Sequence, residues 1–171
     1  MAGRPAVYLA SPLGFSETTR SFGEQVVVPA LIERGFAVLD PWHDEHGAVA
    51  RQLQVAADQP NDADRQSDFG RVNRDLGARN VRLIEQSDAL LAVLDGPDVD
   101  SGTAAEIGYA AALGRPIVGW RSDIRRAGEN EATPVNMQVA HFISTTGGRI
   151  AETLDSALDA LEEALAREGP G

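Results

Sequence analysis

Apolar positions along the chain switch between short continuous runs and helical spacing, and the switching predicts alternating strands and helices. Ala6-Val7-Tyr8-Leu9 is an apolar run closed by Ser11-Pro12-Leu13-Gly14, a strand entering a loop. Over 17–34 the residues Phe22, Val26, Leu31 and Ile32 recur at roughly helical spacing and Gly35 supplies a stop. Pro29 marks a kink or break in that helix. Phe36-Ala37-Val38-Leu39 is a second strand, closed by Asp40-Pro41. A short helix is predicted over 48–56, a loop over 58–64, and a longer helix over 67–85 with Val72, Leu76, Val81 and Ile84 inward. Residues 89–94 are continuously apolar between Asp88 and Asp95, as in a strand buried on both faces. Residues 101–113 read as a helix stopped by Gly114, 116–120 as a strand, and 121–134 as a polar, mobile loop. The fifth strand is placed at Phe142-Ile143-Ser144, and a final helix at 150–166 with Leu154, Leu158, Leu161 and Leu165 along one side.

This order predicts an α/β architecture with about five parallel strands covered by helices on both faces. Right-handed connections favour strand order 2-1-3-4-5, with ligands beyond the carboxyl ends of the strands. The loops 11–15, 40–44, 95–103 and 121 onward then gather at one edge.

The length of 171 residues suits one domain spanning 1–171, and 43% hydrophobic residues suffice for a sizeable core. A net charge of −11 argues against nucleic acid as a partner, since phosphate backbones select basic faces, but leaves room for an uncharged nucleoside. No apolar run approaches the roughly 18 residues of a membrane span. The opening residues 1–5 lack the apolar core of a secretory signal. The chain has no cysteine, which removes disulfides and thiolate metal sites. A soluble, cytoplasmic enzyme is expected.

The stretch Asp95-Gly96-Pro97-Asp98-Val99-Asp100-Ser101-Gly102-Thr103-Ala104-Ala105-Glu106 carries the most chemistry. A buried strand ends in carboxylates, a small turn follows, and a helix begins that Asp100 or Ser101 can cap. Gly102 lets a ligand approach the backbone closely, and Glu106, one turn on, leans back toward the same mouth. A carboxylate there suits nucleophilic attack on an anomeric carbon, because it also stabilises an oxocarbenium-like transition state. The same spacing fits a surface ion pair at Glu106, and the acidic run fits a hard cation such as magnesium. Tyr8, near the end of the first strand, is placed to hydrogen-bond Glu106 or to pack as an ordinary core residue. His43, His46 and His141 share no metal-ligand spacing. Ser11 and Ser101 lie outside a Gly-x-Ser-x-Gly elbow, and glycine-rich phosphate loops are missing, which excludes serine-hydrolase, dinucleotide and P-loop readings.

Val7-Tyr8-Leu9-Ala10-Ser11-Pro12-Leu13, the run from Ser87 to Leu94, Asp100 to Ala110, and Gly114-Arg115-Pro116-Ile117-Val118-Gly119 together resemble the nucleoside 2-deoxyribosyltransferase family. The resemblance implies a flavodoxin-like three-layer sandwich that needs no cofactor or metal. It implies transfer of 2-deoxyribose between nucleobases through a covalent glutamyl–sugar intermediate. By motif, Glu106 matches the nucleophile, Tyr8 the residue that orients it, and Asp100 the sugar-hydroxyl or orienting carboxylate. Asn136, in Val135-Asn136-Met137-Gln138, matches an asparagine lent by a neighbouring subunit, so a homo-oligomer with shared sites is expected. Asn80 stands where the family often has a base-contacting aspartate. Ser11, Gly14 and Gly102 would line the substrate site, and Phe15 or Trp42 would stack on the base. The partners are then a deoxynucleoside and a free nucleobase. The alternatives are a hydrolase of deoxynucleosides or their 5′-monophosphates, and a nucleoside-binding module without catalysis.

Overall fold

The computed structural model describes residues 3–44 and 47–168. His46 lies outside them. A five-stranded parallel sheet runs in the order β2-β1-β3-β4-β5. Its strands are β1 (Ala6–Ala10), β2 (Ala37–Leu39), β3 (Ala89–Val93), β4 (Ile117–Trp120) and β5 (Ile150–Ala151). Around it lie α1 (Glu17–Phe22), α2 (Val28–Glu33), α3 (Ala48–Ala57), α4 (Asp62–Gln86), α5 (Ser101–Ala112), α6 (Met137–Thr145) and α7 (Leu154–Glu168). The expected order and the three layers are present.

Alternation along the strands divides the core. Val7, Leu9, Leu91, Val93 and Val118 point to the face packed by Val27 and Leu31 and by Leu158 and Leu161 of α7. Tyr8, Ala10, Leu90, Ala92 and Ile117 point to the other face, packed by Ile84 of α4, Ile107 of α5, and Val139 and Ile143 of α6. Every residue of β3 is buried, as a central parallel strand requires. Tyr8 is therefore sent toward α4 and α5, and this single parity positions the site.

The structure corrects several boundaries. Residues 142–144 are helical, inside α6, and the fifth strand is Ile150–Ala151, paired as Gly119↔Ile150 and Trp120↔Ala151. A three-residue apolar run has no readable period. What decides is the N-cap at Asn136, whose side chain accepts from Gln138 N and Val139 N, and the burial of Val139 and Ile143 one turn apart. The final helix starts at Leu154 rather than 150. The long helix α4 begins at Asp62 because Asn61 caps it, which shortens the predicted 58–64 loop. Val81 is on its exposed side.

The break at Pro29 takes the form of a π-helical turn over Gly23–Val27 between α1 and α2. Proline lacks an N–H and clashes with the carbonyl four residues back, and an extra residue in the preceding turn accommodates both defects. That residue rotates the inward face by roughly 100°. Val27 and Leu31 consequently fill the core while Phe22, Val26 and Ile32 stay partly exposed.

Candidate active site

β1 and β3 pair side by side, and their carboxyl ends mark the switch point of this topology, where connections leave to opposite sides and a crevice opens. A cavity of about 660 Å³ lies at this edge. Glu106 enters it from the second turn of α5, because helical side chains lean toward the N-terminus. Tyr8 lies fully buried beneath, and its phenol donates to Glu106 Oε1 at 2.6 Å. Asn80 Nδ2 approaches the same oxygen at 3.4 Å from α4.

Burial dominates the ionisation of this pair. It pushes the Glu106 carboxyl above the ordinary glutamate value, the Asp100 charge adds to the rise, and the hydrogen bonds from Tyr8 and Asn80 oppose it. Tyr8 is driven far above the ordinary phenol value, by burial first and by the Glu106 charge second. The phenol therefore stays a proton donor throughout the physiological range.

Asp100 caps α5, its Oδ2 accepting from Thr103 N at 3.0 Å, while it also lines the cavity with Gly102. Asp95 accepts from Ser122 N, Ser122 Oγ and Asp123 N at 2.6, 2.6 and 2.8 Å, and Asp98 accepts from Val99 N at 2.8 Å. The acidic run thus anchors backbone. Among the described residues no group of three or more His, Asp or Glu side chains is arranged to hold a metal ion. Buried Arg121 fixes the start of the 121–134 loop, donating to the carbonyls of Leu94, Gly96 and Arg125.

The opposite wall is aromatic. Trp42 Nε1 donates to the Ser11 carbonyl at 2.8 Å, and the Phe15 ring meets Trp42 edge-on at 4.6 Å. Phe15 is 70% exposed and Trp42 38%, so both present ring surface that a ligand can cover. Gly14 lies beneath the indole. Ser11 Oγ is buried on the cavity wall and has no hydrogen-bond partner among the described residues. Arg79 Nη2 donates to the His43 carbonyl at 2.7 Å, holding the loop after β2 against α4.

The structure brings Glu106, Asp100, Ser11, Gly14, Phe15, Trp42, Asn80 and Gly102 to one cavity, with Tyr8 directly under it. Asn136 is not on that wall. It caps α6 and donates from Nδ2 to Glu129 Oε1 at 2.6 Å. Asp40, Arg20 and Arg79 also line the cavity, and the sequence reading did not single them out. The signal for Asp40 was its place as the residue closing β2 at the sheet's carboxyl edge. Arg20 and Arg79 sit on helices, where nothing in the pattern separates them from solvent-facing arginines.

Fold and site together define a flavodoxin-like α/β protein with a part-buried carboxylate facing a cavity at the switch point. The chain belongs to the nucleoside 2-deoxyribosyltransferase family, whose sequence model matches residues 7–138. The family consists of enzymes acting on the N-glycosyl bonds of nucleosides. A conserved protein from Enterococcus faecalis V583 superposes with a TM-score of 0.66 at 21% identity, covering 94% of this chain and 99% of that one. The 2-deoxyribosyltransferase of Leishmania mexicana gives 0.61 at 18% identity, covering 95% and 97%. A CMP N-glycosidase of Clostridium botulinum gives 0.54 at 19% identity, covering 93% and 98%. These likenesses establish the fold. Comparison with curated proteins by sequence gives no match. No helix among the described residues is long and apolar enough to cross a membrane.

Proposed function

We propose that the protein transfers 2-deoxyribose between nucleobases, with Glu106 attacking the anomeric carbon of a 2′-deoxynucleoside. The observation that carries this reading is the buried phenol donating to Glu106 at 2.6 Å while the carboxylate faces the cavity. One carboxylate oxygen is held, and the other is left to the sugar. In the first half-reaction Glu106 bonds to C1′ and the C1′–N bond breaks, its electron pair leaving with the base. In the second half-reaction a new base nitrogen displaces Glu106 from C1′. Asp100 and Gly102 would meet the sugar hydroxyls, Ser11 Oγ and Asn80 a polar edge of substrate, and Phe15 and Trp42 the base. Asn136, which does not line its own cavity, would serve that of a second copy in a homo-oligomer.

Hydrolysis is the second reading, favoured by the cations Arg20 and Arg79 on the cavity wall, which could receive a 5′-phosphate as in a monophosphate N-glycosidase. Both arginines are already engaged with backbone carbonyls, which ranks this below transfer. Incubation of 2′-deoxyinosine with adenine tests both. New 2′-deoxyadenosine is expected. Free hypoxanthine and deoxyribose alone would indicate hydrolysis, and absence of cleavage of 2′-deoxyinosine and of other deoxynucleosides and their monophosphates would refute the proposal.

A pH profile follows from the same geometry. Attack needs ionised Glu106, so activity should fall as pH drops through its raised value. Tyr8→Phe removes a hydrogen bond that favours the charged form. The acid limb of kcat/KM is expected to move to higher pH. A limb that stays in place would mean the phenol does not govern ionisation at position 106.

A further inference from the structure

N-glycosidic cleavage needs a proton on the departing base, and the residue that the family resemblance aligns with a base-contacting aspartate is here an amide, Asn80. Its nitrogen already approaches Glu106, and an amide does not deliver a proton at neutral pH. Five carboxyls among the described residues line the cavity: Glu24, Asp40, Asp44, Asp100 and Glu106. Glu106 faces the sugar in the proposed reaction. Asp100 is tied to the first turn of α5. Asp44 has both oxygens on backbone amides, from Val49 at 2.9 Å and Ala50 at 3.1 Å, and those bonds hold it ionised, below the usual carboxylate range. Glu24 is exposed.

Asp40 differs from all of these. It directly follows β2, whose Leu39 lies in register with Tyr8, at the sheet's carboxyl edge, and its charge is felt at the Tyr8 phenol. It is half-buried on the cavity wall. Oδ1 accepts from Trp42 N at 2.9 Å, and Oδ2 has no partner among the described residues. The same short turn carries the Trp42 indole, so an acid at Asp40 stands next to the ring surface offered to a base.

We propose that Asp40 is the general acid that protonates the departing nucleobase, and that its carboxylate then takes the proton from the incoming one. The proposal rests on the N-glycosyl cleavage reading above. As Glu106 bonds to C1′ and the C1′–N pair moves into the base, the Asp40 proton passes to a ring nitrogen of that base. A neutral base and an Asp40 carboxylate result. The acceptor base then loses one N–H proton to Asp40 as its nitrogen displaces Glu106, which restores both carboxyls. Burial supports the protonated form, pushing Asp40 above the ordinary value against the lowering effects of the Trp42 amide, His43 and Arg79. Glu24 adds to the rise, and Tyr8 faces Asp40 from β1 as a neutral phenol.

The test compares Asp40→Asn with the native enzyme on 2′-deoxyinosine and on 7-methyl-2′-deoxyinosine, corrected for spontaneous hydrolysis. The methylated base is already cationic and leaves without a proton, and asparagine keeps an acceptor for the Trp42 amide. General acid catalysis contributes about 10²–10⁴-fold. A loss of at least about 100-fold on 2′-deoxyinosine is expected, with less than about threefold on the methylated donor. The alkaline limb of kcat/KM on 2′-deoxyinosine should vanish from the residual activity. Equal losses on both donors, unimpaired cleavage of 2′-deoxyinosine, or an alkaline limb kept in the variant would overturn the assignment. Glu106→Ala separates the two claims, since it should lose both donors alike. A native enzyme that splits neither donor nor any other deoxynucleoside would remove the function itself, not only the role of Asp40.

Discussion

Glu106→Ala is expected to abolish base exchange, lowering kcat by about 10⁴-fold or more, the scale seen when a covalent nucleophile is removed. The reason is local: Glu106 is the carboxylate held by Tyr8 over the cavity, Asp44 and Asp100 are tied to backbone amides, Glu24 is exposed, and Asp40 has no such bond from Tyr8. Glu106→Gln should be as inactive, yet it should stabilise the folded protein at neutral pH. Burial raises the folded-state value of Glu106 above its unfolded one, so holding the ion in place costs the folded protein stability. The contribution of this group is fully favourable below the unfolded value and is lost as pH rises through the raised folded value. Glutamine keeps an acceptor for the Tyr8 phenol and carries no charge. Its melting temperature should therefore exceed that of the native protein at pH 7, with the gap closing as pH falls toward about 4.5. Thermal unfolding across pH, beside an exchange assay, checks both. Retained exchange in either variant would move the nucleophile elsewhere, and an unchanged melting curve for the glutamine variant would mean that the buried charge costs nothing.

This contrast explains which parts of the molecule could be read from the sequence. β3 was legible because a central parallel strand must be apolar at every position, and 89–94 has no polar interruption. The place of Glu106 at the cavity mouth was legible because one helical turn from Gly102 fixes a direction. β5 was not, since two residues, Ile150 and Ala151, carry no period, and their pairing with β4 is a tertiary fact. The helix at 142–144 was hidden for a related reason, as its signal lies upstream, in the cap at Asn136. The inward face of the first helix was misread because a π-helical turn changes the phase without changing the composition. Asp40 looked like a strand stop, which it also is. Its environment comes from Trp42, His43, Arg79 and Glu24, on three different segments, and no linear pattern records that convergence.

The aromatic wall yields the second large effect. A Cβ built on Gly14 would lie 1.9 Å from Cδ2 of Trp42, far inside van der Waals contact. The backbone at Gly14 lies outside the left-handed region, so the conflict comes from the ring and not from backbone strain. In Gly14→Ala the indole must therefore swing away, breaking its bond to the Ser11 carbonyl and its edge contact with Phe15. A net hydrogen bond of about 1 kcal/mol and an aromatic pair of about 1 kcal/mol are lost, roughly 2 kcal/mol together. For a chain of this size that lowers the melting temperature by about 4–8 °C. In the proposed reaction the displaced ring would no longer stack on the base, so KM for the deoxynucleoside should rise about tenfold or more while the Tyr8–Glu106 pair, on other elements, stays intact. Trp42→Ala provides the internal check. With the indole gone the three nearest contacts of the new methyl are gone with it, so adding Gly14→Ala should cost little further. Additive losses in the double variant would place the conflict in the backbone around position 14 and not in the ring above it.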